Sequence, residues 1–563
     1  MKSIFAPLLL LTGIIVSAQV SNVPTDYFDD PLQVPLALAG TFGELRSNHF
    51  HSGLDIKTQQ REGLPVYASA EGYVSRINVS HYGYGKALYI QHPNGYTTVY
   101  AHLKNFSPKI EAYIKQLQYK NESYEVEVYP ASSEIPIERG ELVANSGNTG
   151  GSGGPHLHFE IRDGEQRPMN PLMFGIELED SRAPIVSGVY VYPAGEDAHV
   201  NGSAARQKLR LIPQQDGSFR AEKIDACGQI GFGITAVDQL NAAANHNGVY
   251  KIESSANGEK LLQLNFERFS FAETRHLNQL IDYGYYATNN SRIQKLFVEP
   301  SNPLSLYSHL NNEGYLNVQD SLSYNYTIKV SDFSGNERIV HIPIEGKHRN
   351  DIKEDPSKIT DFFVAASEGA QFEAKGIDVY IPENSLYNDV YLDVSFEDEK
   401  VTLHEDVIPI HTNISIGFDV SKYKPEDREQ MFIARLNKWG NPQYSGTTKD
   451  GDRFTTKTRT FGTYTLGRDV KAPAVTPVNF RDGQWISNNK DLKIKISDDL
   501  SGIKSYRATV NGKFILMEYE YKRNLLTHYF ADGVVTDTEN HLKLEVVDNV
   551  GNTTVFESTF FRK

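Results

Sequence analysis

Short runs of alternating apolar and polar residues, separated by Gly, Pro, Asn and Asp, dominate most of the chain. Residues 72–77, 87–90 and 96–100 are such runs, and Asn94-Gly95 stands between the last two. Alternation sends successive side chains to opposite faces of a strand, and an Asn-Gly pair between two strands is typical of a tight hairpin. The pattern therefore predicts a mainly β protein.

Two segments break this alternation. Residues 108–117 carry apolar residues at helical spacing directly after Ser107-Pro108, which predicts a helix. We interpret residues 107–134 as an insertion, a helix followed by a strand, at the edge of a β domain. A second helical stretch is predicted near residues 273–281.

The chain after residue 175 contains a repeated pattern. Residues 180–184 (DSRAP) recur at 469–473 (DVKAP), and Asp-x-x-Gly-Asn turns begin at Asp332 and Asp548, with a looser case at Asp238. Such turns suit the corners of β-sandwiches. Calcium binding is the alternative, but no twelve-residue ligand loop surrounds the turns, which favours corner turns.

Composition limits the classes of protein that remain. The 563 residues exceed what one hydrophobic core usually organises, and 39% hydrophobic residues, with 32 Tyr and 28 Phe, exclude a disordered or collagen-like chain. The formal net charge of −15 argues against nucleic acid as a partner. The single cysteine excludes an intramolecular disulfide.

The first 18 residues have the pattern of a secretory signal peptide, with Lys2, an apolar stretch over residues 4–16 and Ala18 at the expected cleavage point. The apolar stretch is shorter than the about 20 residues that a membrane-spanning helix needs. No later stretch reaches that length. The sequence thus predicts an exported protein without a transmembrane segment, in the periplasm, the cell envelope or outside the cell.

Changes in these patterns divide the chain into a predicted series of domains. The predicted divisions are a signal peptide (1–18), a leader segment (19–39), a His-rich β domain (40–175, with the insertion at about 107–134), a β-sandwich module (176–256), a β-rich module with a helical insertion (257–348), a β-rich module (349–467) and an Ig-like β-sandwich (468–563).

Histidines are concentrated in the His-rich domain, which holds seven of the seventeen in the chain. In a strand, His156 and His158 project from one face because they are two residues apart. A catalytic zinc ion takes three protein ligands from imidazoles and carboxylates and keeps a fourth position open. His51, Asp55 and one histidine of the strand supply that set, which leaves two further histidines for proton transfer and oxyanion stabilisation.

Several motifs in this domain, taken in order, form a specific pattern over about residues 40–165. They are Arg46, His51-x-Gly-x-Asp55, GLPVYA (63–68), GYV (72–74), GYG (83–85), HPNGY (92–96), YAHL (100–103), SGNTG (146–150) and GPHLHF (154–159). The segment resembles the lysostaphin-type (LytM-like) zinc metalloendopeptidases, which have a duplicated-hybrid-motif β fold. The resemblance implies one Zn²⁺ ion with His51, Asp55 and His158 as ligands, and His102 and His156 as the catalytic pair.

The same resemblance implies an exported enzyme that hydrolyses peptide bonds of bacterial peptidoglycan, in stem cross-links or interpeptide bridges, by attack of a zinc-activated water. The tail would position it on the wall or on an envelope protein partner. The alternatives are a non-hydrolytic envelope scaffold or activator of wall amidases, and a secreted peptidase that acts on protein substrates. Which of His102 and His156 is the general base stays open.

The sequence departs from the family pattern at the insertion and at Gly153, where Thr or Ser often stands. The insertion is expected to line one wall of the substrate groove. The Gly-rich loop at residues 147–154 is expected to contact substrate, because its glycines allow close approach of a peptide backbone.

Overall fold

A computed structural model describes residues 23–241, 243–354 and 360–563. The predicted signal peptide (1–18) and the first residues of the leader lie outside the described residues. The described chain is built mainly from strands, which confirms the predicted fold class. None of the helices in these residues is both long and apolar enough to span a bilayer.

Twelve strands form the N-terminal domain. They are β1 (Leu38–Gly40), β2 (Leu54–Lys57), β3 (Pro65–Tyr67), β4 (Gly72–Val79), β5 (Lys86–Gln91), β6 (Thr97–Ala101), β7 (Asn105–Phe106), β8 (Val126–Val128), β9 (Pro136–Ile137), β10 (Leu142–Asn145), β11 (His156–Arg162) and β12 (Pro168–Met169). Nine of them form one sheet in the order β1-β2-β11-β6-β5-β4-β8, with β12 beside β11 and β9 beside β4. The remaining three form the small sheet β3-β10-β7.

The large sheet follows from the alternating pattern. The predicted hairpin is present between β5 and β6, and Gly95 in its turn has φ +88°, a conformation that glycine adopts without steric cost. Strand β11 lies between β2 and β6, and places His158 opposite Asp55 on one side and Ala101 on the other. Leu157 and Phe159 are fully buried, so the alternating histidines point to the other face.

The insertion contains the predicted helix, α1 (Pro108–Asn121). Ile110, Ile114 and Gln118 are buried, and their four-residue spacing places them on one face of the helix. Pro108 occupies the first turn, where its missing N–H leaves no unpaired donor. Strand β8 follows and pairs with β4 at the edge of the large sheet, as the sequence predicts.

The next module contains twelve strands and the predicted helical stretch, which is confirmed. The strands are β13 (Ile185–Val200), β14 (Gln207–Leu209), β15 (Leu211–Pro213), β16 (Phe219–Ala221), β17 (Ile224–Val237), β18 (Lys251–Ala256), β19 (Glu259–Asn265), β20 (Gln294–Lys295), β21 (Tyr307–Leu310), β22 (Leu316–Val318), β23 (Ser323–Ser331) and β24 (Glu337–Gly346), and the helices are α2 (Leu277–Leu280) and α3 (Tyr283–Asn289). All twelve strands belong to one hydrogen-bonded sheet system.

This connectivity corrects one predicted boundary. Residues 256 and 257 lie at the turn of the β18–β19 hairpin, in which Ala256 pairs with Glu259. Strand β18 also pairs with β23 along its whole length. The modules predicted at 176–256 and 257–348 therefore share one sheet system, because long-range pairing joins strands that the local pattern separates.

Two further β modules complete the chain. The first contains β25 (Phe362–Val364), β26 (Ala370–Ala374), β27 (Ile377–Ile381), β28 (Val390–Leu392), β29 (Val394–Glu397), β30 (Lys400–Leu403), β31 (Ile414–Asp419), α4 (Pro425–Glu429), β32 (Met431–Leu436), β33 (Pro442–Tyr444), β34 (Thr447–Asp450), β35 (Arg453–Thr458) and β36 (Gly462–Arg468). The second contains β37 (Ala474–Pro477), β38 (Gln484–Trp485), β39 (Asp491–Ser497), β40 (Ile503–Val510), β41 (Lys513–Ile515), β42 (Glu518–Glu520), β43 (Leu525–Tyr529), β44 (Glu539–Asp548) and β45 (Thr553–Phe561). Each module has its own apolar core.

The N-terminal domain and the module after it share a continuous apolar core. Phe42 and Phe50 of the N-terminal domain pack against Phe269, with ring centroids 5.1 and 5.4 Å apart. All three side chains are at most 2% exposed. Because this packing lies directly before His51, the second module supports the segment that carries a predicted site residue.

The last module folds back onto the N-terminal domain. Lys86, which is buried, forms an ion pair of 3.0 Å with Glu518, and Arg507 forms one of 2.6 Å with Glu122. Lys522 donates hydrogen bonds to main-chain carbonyls of the Gly-rich loop, including Ser152 O at 3.1 Å. The last module therefore touches both the insertion and the loop predicted to contact substrate.

Candidate metal centre and active site

The structure brings together the three predicted metal ligands. His51 Nε2 lies 2.9 Å from Asp55 Oδ1 and 3.0 Å from His158 Nδ1, and the latter two atoms are 2.9 Å apart. All three residues are less than 8% exposed. Ligands of a tetrahedral zinc ion with bonds near 2.0–2.1 Å lie about 3.3 Å apart, so the triangle is close to the size that zinc requires.

The second nitrogen of each imidazole has a partner that fixes the ring. His51 Nδ1 donates to Thr41 O at 2.8 Å, and a carbonyl can only accept, so the Nε2 lone pair of His51 faces the triangle. His158 Nε2 donates to Glu160 Oε1 at 2.8 Å, which leaves Nδ1 for the triangle. The donor set fits a zinc ion held by His51 Nε2, Asp55 Oδ1 and His158 Nδ1.

The electrostatics of the triangle favour a cation. Burial acts to raise the pKa of Asp55, but the surrounding imidazoles of His51, His156 and His158 outweigh it and hold this pKa well below its usual range. Burial acts to lower the pKa of His158, but Asp55 and Glu160 raise it to about 9. Asp55 therefore stays ionised at neutral pH, the form in which a carboxylate binds metal.

The two remaining predicted histidines flank the triangle. The rings of His102 and His156 are 4.8 Å apart, and His156 Nε2 lies 3.4 Å from Asp55 Oδ1. His102 Nδ1 donates to Thr149 O at 2.8 Å, and His156 Nδ1 donates to Gly154 O at 2.8 Å. Both rings are thus fixed by carbonyls of the Gly-rich loop.

His102 has two unusual properties. Its φ is +57°, in the left-handed region that non-glycine residues rarely adopt and that occurs often at functional sites. Burial, together with the nearby His158 and His156, lowers the pKa of His102 to about 3. The imidazole is therefore neutral at physiological pH, and its Nε2 carries a lone pair.

Glu160 is a site residue that sequence reasoning missed. It is fully buried and accepts hydrogen bonds from Ser52 Oγ at 2.6 Å, from Tyr84 and from His158. Arg162 Nε donates to its other oxygen at 2.6 Å. The signal was present in the sequence, because residues 156, 158 and 160 alternate along β11 and share one face.

Arg46 makes a second missed contact. Its guanidinium lies 3.0 Å from Asp55 Oδ2, the oxygen that does not face the histidines. The ion pair fixes the carboxylate plane, so that Oδ1 points into the triangle. The sequence pattern includes Arg46, but the sequence alone does not show that the guanidinium of Arg46 contacts Asp55.

A cavity of about 580 Å³ opens over these residues. Besides the predicted site residues, Tyr84, Gly151, Ser152, Gly153, Phe271 and Thr274 line it. Gly151, Ser152 and Gly153 of the Gly-rich loop therefore form part of the cavity wall. Phe271 and Thr274 come from the next module, about 100 residues beyond the predicted domain end.

The insertion does not line the cavity, so the expectation that it forms a groove wall is wrong. Lys115 and Tyr119 of α1 both contact Asp532 of the last module, Tyr119 through a hydrogen bond of 2.8 Å. The physical reason is that the face of α1 that carries Lys115 and Tyr119 packs against the last module.

Two parts of the chain match models of known families. Residues 49–119 match the model of Peptidase family M23, and residues 361–469 match the model of a Zu5-like domain. Residues 49–119 of the N-terminal domain therefore match family M23, and one of the β-rich modules that follow matches a Zu5-like domain.

Similar proteins were found among characterised proteins and solved structures. The chain is 35% identical over 128 residues to the DD-carboxypeptidase/endopeptidase Mpg of Neisseria meningitidis serogroup B, which covers 23% of each chain. It is 32% identical over 131 residues to the peptidoglycan DD-endopeptidase ShyA of Vibrio cholerae, covering 23% of this chain and 24% of ShyA. The catalytic domain of lysostaphin from Staphylococcus simulans matches with 21% identity and a TM-score of 0.19, over 25% of this chain and 93% of that one. The chain thus matches less than a quarter of the length of these curated relatives.

Proposed function

We propose that this protein is an exported zinc-dependent endopeptidase that hydrolyses peptide bonds in bacterial peptidoglycan. The observation that carries the proposal is the triangle of His51 Nε2, Asp55 Oδ1 and His158 Nδ1, flanked by His102 and His156. One Zn²⁺ ion bound there supplies Lewis-acid chemistry, polarising a peptide carbonyl and making water a nucleophile at neutral pH.

The chain's own residues divide the remaining work. His102, held neutral with its Nδ1 proton on Thr149 O, accepts the proton of the attacking water at Nε2. His156 is the other histidine beside the triangle, with Nδ1 hydrogen-bonded to Gly154 O and Nε2 3.4 Å from Asp55 Oδ1. We therefore assign His156 as the donor that stabilises the developing oxyanion.

The substrate proposal rests on the relatives. Mpg and ShyA are named for cleavage of peptide bonds of the DD type, and ShyA for action on peptidoglycan. The cavity of about 580 Å³, with glycine backbone on one wall and Phe271 on another, is large enough for a short peptide stem. The signal peptide pattern of residues 1–18 supports export.

A non-hydrolytic scaffold or amidase activator is the second candidate from the sequence. A scaffold does not need fixed ligand geometry, whereas here both imidazoles and the carboxylate have dedicated partners in Thr41, Glu160 and Arg46. That geometry supports hydrolysis. A peptidase acting on protein substrates would share the same site and is separated from the proposal only by the substrate tested.

The test is mass spectrometry of fragments released from purified peptidoglycan by the zinc-loaded mature protein, compared with His156→Ala and with His541→Ala, an exposed histidine of the last module. We expect new amino and carboxyl termini from the wild type and from His541→Ala only. In parallel, His51→Ala should lose zinc, whereas His102→Ala should keep zinc and lose turnover. Intact peptidoglycan with a zinc-loaded wild type would contradict the proposal.

A further inference from the structure

Three carboxylates from distant parts of the chain meet beside the N-terminal domain. Asp180 precedes β13, Asp238 follows β17 and Asp332 follows β23. One oxygen of each lies within 4.8 Å of one oxygen of the other two. Asp238 and Asp332 are only 3% and 4% exposed. The predicted corner turns at Asp238 and Asp332 therefore lie next to each other and to Asp180.

The carboxylates of this group, the Asp180 cluster, are incompletely satisfied. Among the described residues, Asp238 Oδ1 and Asp180 Oδ2 are buried oxygens without a hydrogen-bond partner. Arg182, whose charge acts to lower the pKa of Asp238, donates a hydrogen bond of 2.6 Å to Gln239 rather than to the unpaired carboxylate oxygens. Burial and the charges of Asp332 and Asp180 raise the pKa of Asp238 to about 7. Buried acceptors of this kind require a partner, and a cation is the partner that also relieves the repulsion.

A small cavity adjoins these oxygens. Its volume is about 20 Å³, enough for one ion or one water molecule, and the three aspartates line it together with Thr41 and Asn170 of the N-terminal domain. Carboxylate oxygens are ligands that suit hard cations such as Ca²⁺, which tolerates irregular arrangements better than Mg²⁺ does.

The last module contains a matched cluster that lacks this deficit. Asp469, Asp498 and Asp548 also come within 4.8 Å of one another. However, Asp548 Oδ1 accepts three backbone N–H groups, Asp498 Oδ2 accepts those of Leu500 and Gly502, and Asp469 Oδ2 accepts that of Ser501. In the described part of the chain, no oxygen of this second cluster is buried without a partner. Backbone N–H groups therefore satisfy the carboxylate oxygens of the second cluster, whereas two buried oxygens of the Asp180 cluster need a cation as their partner.

We infer that Asp180, Asp238 and Asp332 hold a Ca²⁺ ion at the joint between the N-terminal domain and the next module. A series of hydrogen bonds connects this joint to the candidate metal centre. Asp238 pairs with Asn247 through both backbone hydrogen bonds, and the next residue, Gly248, donates to Thr41 Oγ1 at 3.1 Å. Thr41 O in turn fixes His51. The calcium ion thus stabilises the segment that positions a zinc ligand.

The test uses the full-length mature protein with its zinc content measured throughout, passed into calcium-free buffer. Calorimetric titration with CaCl₂ should show one equivalent bound with a Kd of about 10⁻⁴–10⁻³ M, the range of extracellular calcium modules. The melting temperature should rise on calcium addition without a change in zinc content. MgCl₂ should bind more weakly.

Matched variants make the result specific. Asp238→Asn should lose calcium binding and, because it removes a repelling charge, should melt at a higher temperature than the wild type in calcium-free buffer. Asp498→Asn, the matched change in the second cluster, should keep the calcium response. Should Asp238→Asn fail to fold, Asp180→Asn, which keeps its accepted N–H bonds from Arg182 and Asn241, replaces it.

Two outcomes would overturn the inference. One is a wild-type protein that neither binds calcium nor changes its melting temperature at millimolar CaCl₂, which would mean that the cavity holds water. The other is an equal loss of response in Asp498→Asn and Asp238→Asn. Neither readout depends on peptide hydrolysis, so the result stands apart from the proposed function.

Discussion

At the scale of single residues, Glu160 connects the candidate metal site to the buried polar network behind it. Its carboxylate accepts from His158 Nε2 on one oxygen and from Arg162 on the other. Burial acts to raise the pKa of Glu160, but Arg162 and His158 hold it well below its usual range. The charge of Glu160 is therefore present at all physiological pH values, and its hydrogen bond with His158 Nε2 orients the imidazole of this proposed zinc ligand.

Glu160→Gln should weaken zinc binding. The amide keeps the shape of the side chain but removes the charge, and it leaves the buried guanidinium of Arg162 without its counter-ion. Loss of such an outer partner typically lowers metal affinity by about 10–100-fold. Competition with a chromogenic chelator measures this change. Glu165→Gln, an exposed acid beyond the end of β11, is the control, and equal affinities for the two variants would contradict the assigned role.

The five candidate site residues were predicted from ordered motifs that resemble the lysostaphin-type family, and the alternation of a strand accounts only for the shared face of His156 and His158. The pairing of His158 with Asp55 follows from that alternation only once β2 and β11 are known to be neighbours. Glu160 shares the face of His158, and spacing alone could have identified it. Phe271 could not have been found, because its approach to the cavity depends on packing between two modules.

At the scale of elements, the Gly-rich loop is held from two sides. Gly150 has φ +69°, and a Cβ there would lie 2.4 Å from Gly83 O. The hydrogen bond from Gly151 N to Gly83 O, 2.7 Å long, closes this contact. On the opposite side, Tyr521 and Lys522 of the last module reach the loop carbonyls. The loop thus has a fixed shape, which its glycine content alone would not suggest.

Gly150→Ala should destabilise the protein by about 1–3 kcal/mol, because the new methyl group is both in a left-handed backbone and against a carbonyl. Turnover should fall as well, since the neighbouring Thr149 O positions His102. Gly153→Ala, in the same loop but with no atom within 4 Å of its Cβ, should leave the stability unchanged. Denaturant unfolding and peptide hydrolysis check both. If the Gly150→Ala protein were as stable as the Gly153→Ala protein, the prediction would be wrong, because the loop would have rearranged to accommodate the new methyl group.

At the scale of the whole molecule, the boundaries suggested by local patterns do not coincide with the units that pack together. Residues 40–175 contain every predicted site residue, but the apolar core continues into the module that ends with β24. Phe266 and Phe269, each 1% exposed, cover Phe42 and Phe50. A sequence pattern identifies which residues are apolar and not which module buries them, so this joint was not predicted.

A truncated protein of residues 19–175 should therefore fold poorly, whereas residues 19–348 should fold and bind zinc. Exposing Phe42 and Phe50 costs on the order of 1.5–3 kcal/mol for each side chain. Because Phe50 directly precedes His51, the loss should reach the metal centre. Thermal unfolding and zinc content of the two truncated proteins measure the effect. Equal stability and equal zinc content of the two proteins would contradict the prediction and mean that the second module only adjoins the N-terminal domain. If only the shorter protein unfolds easily and loses zinc, the second module completes the apolar core of the N-terminal domain.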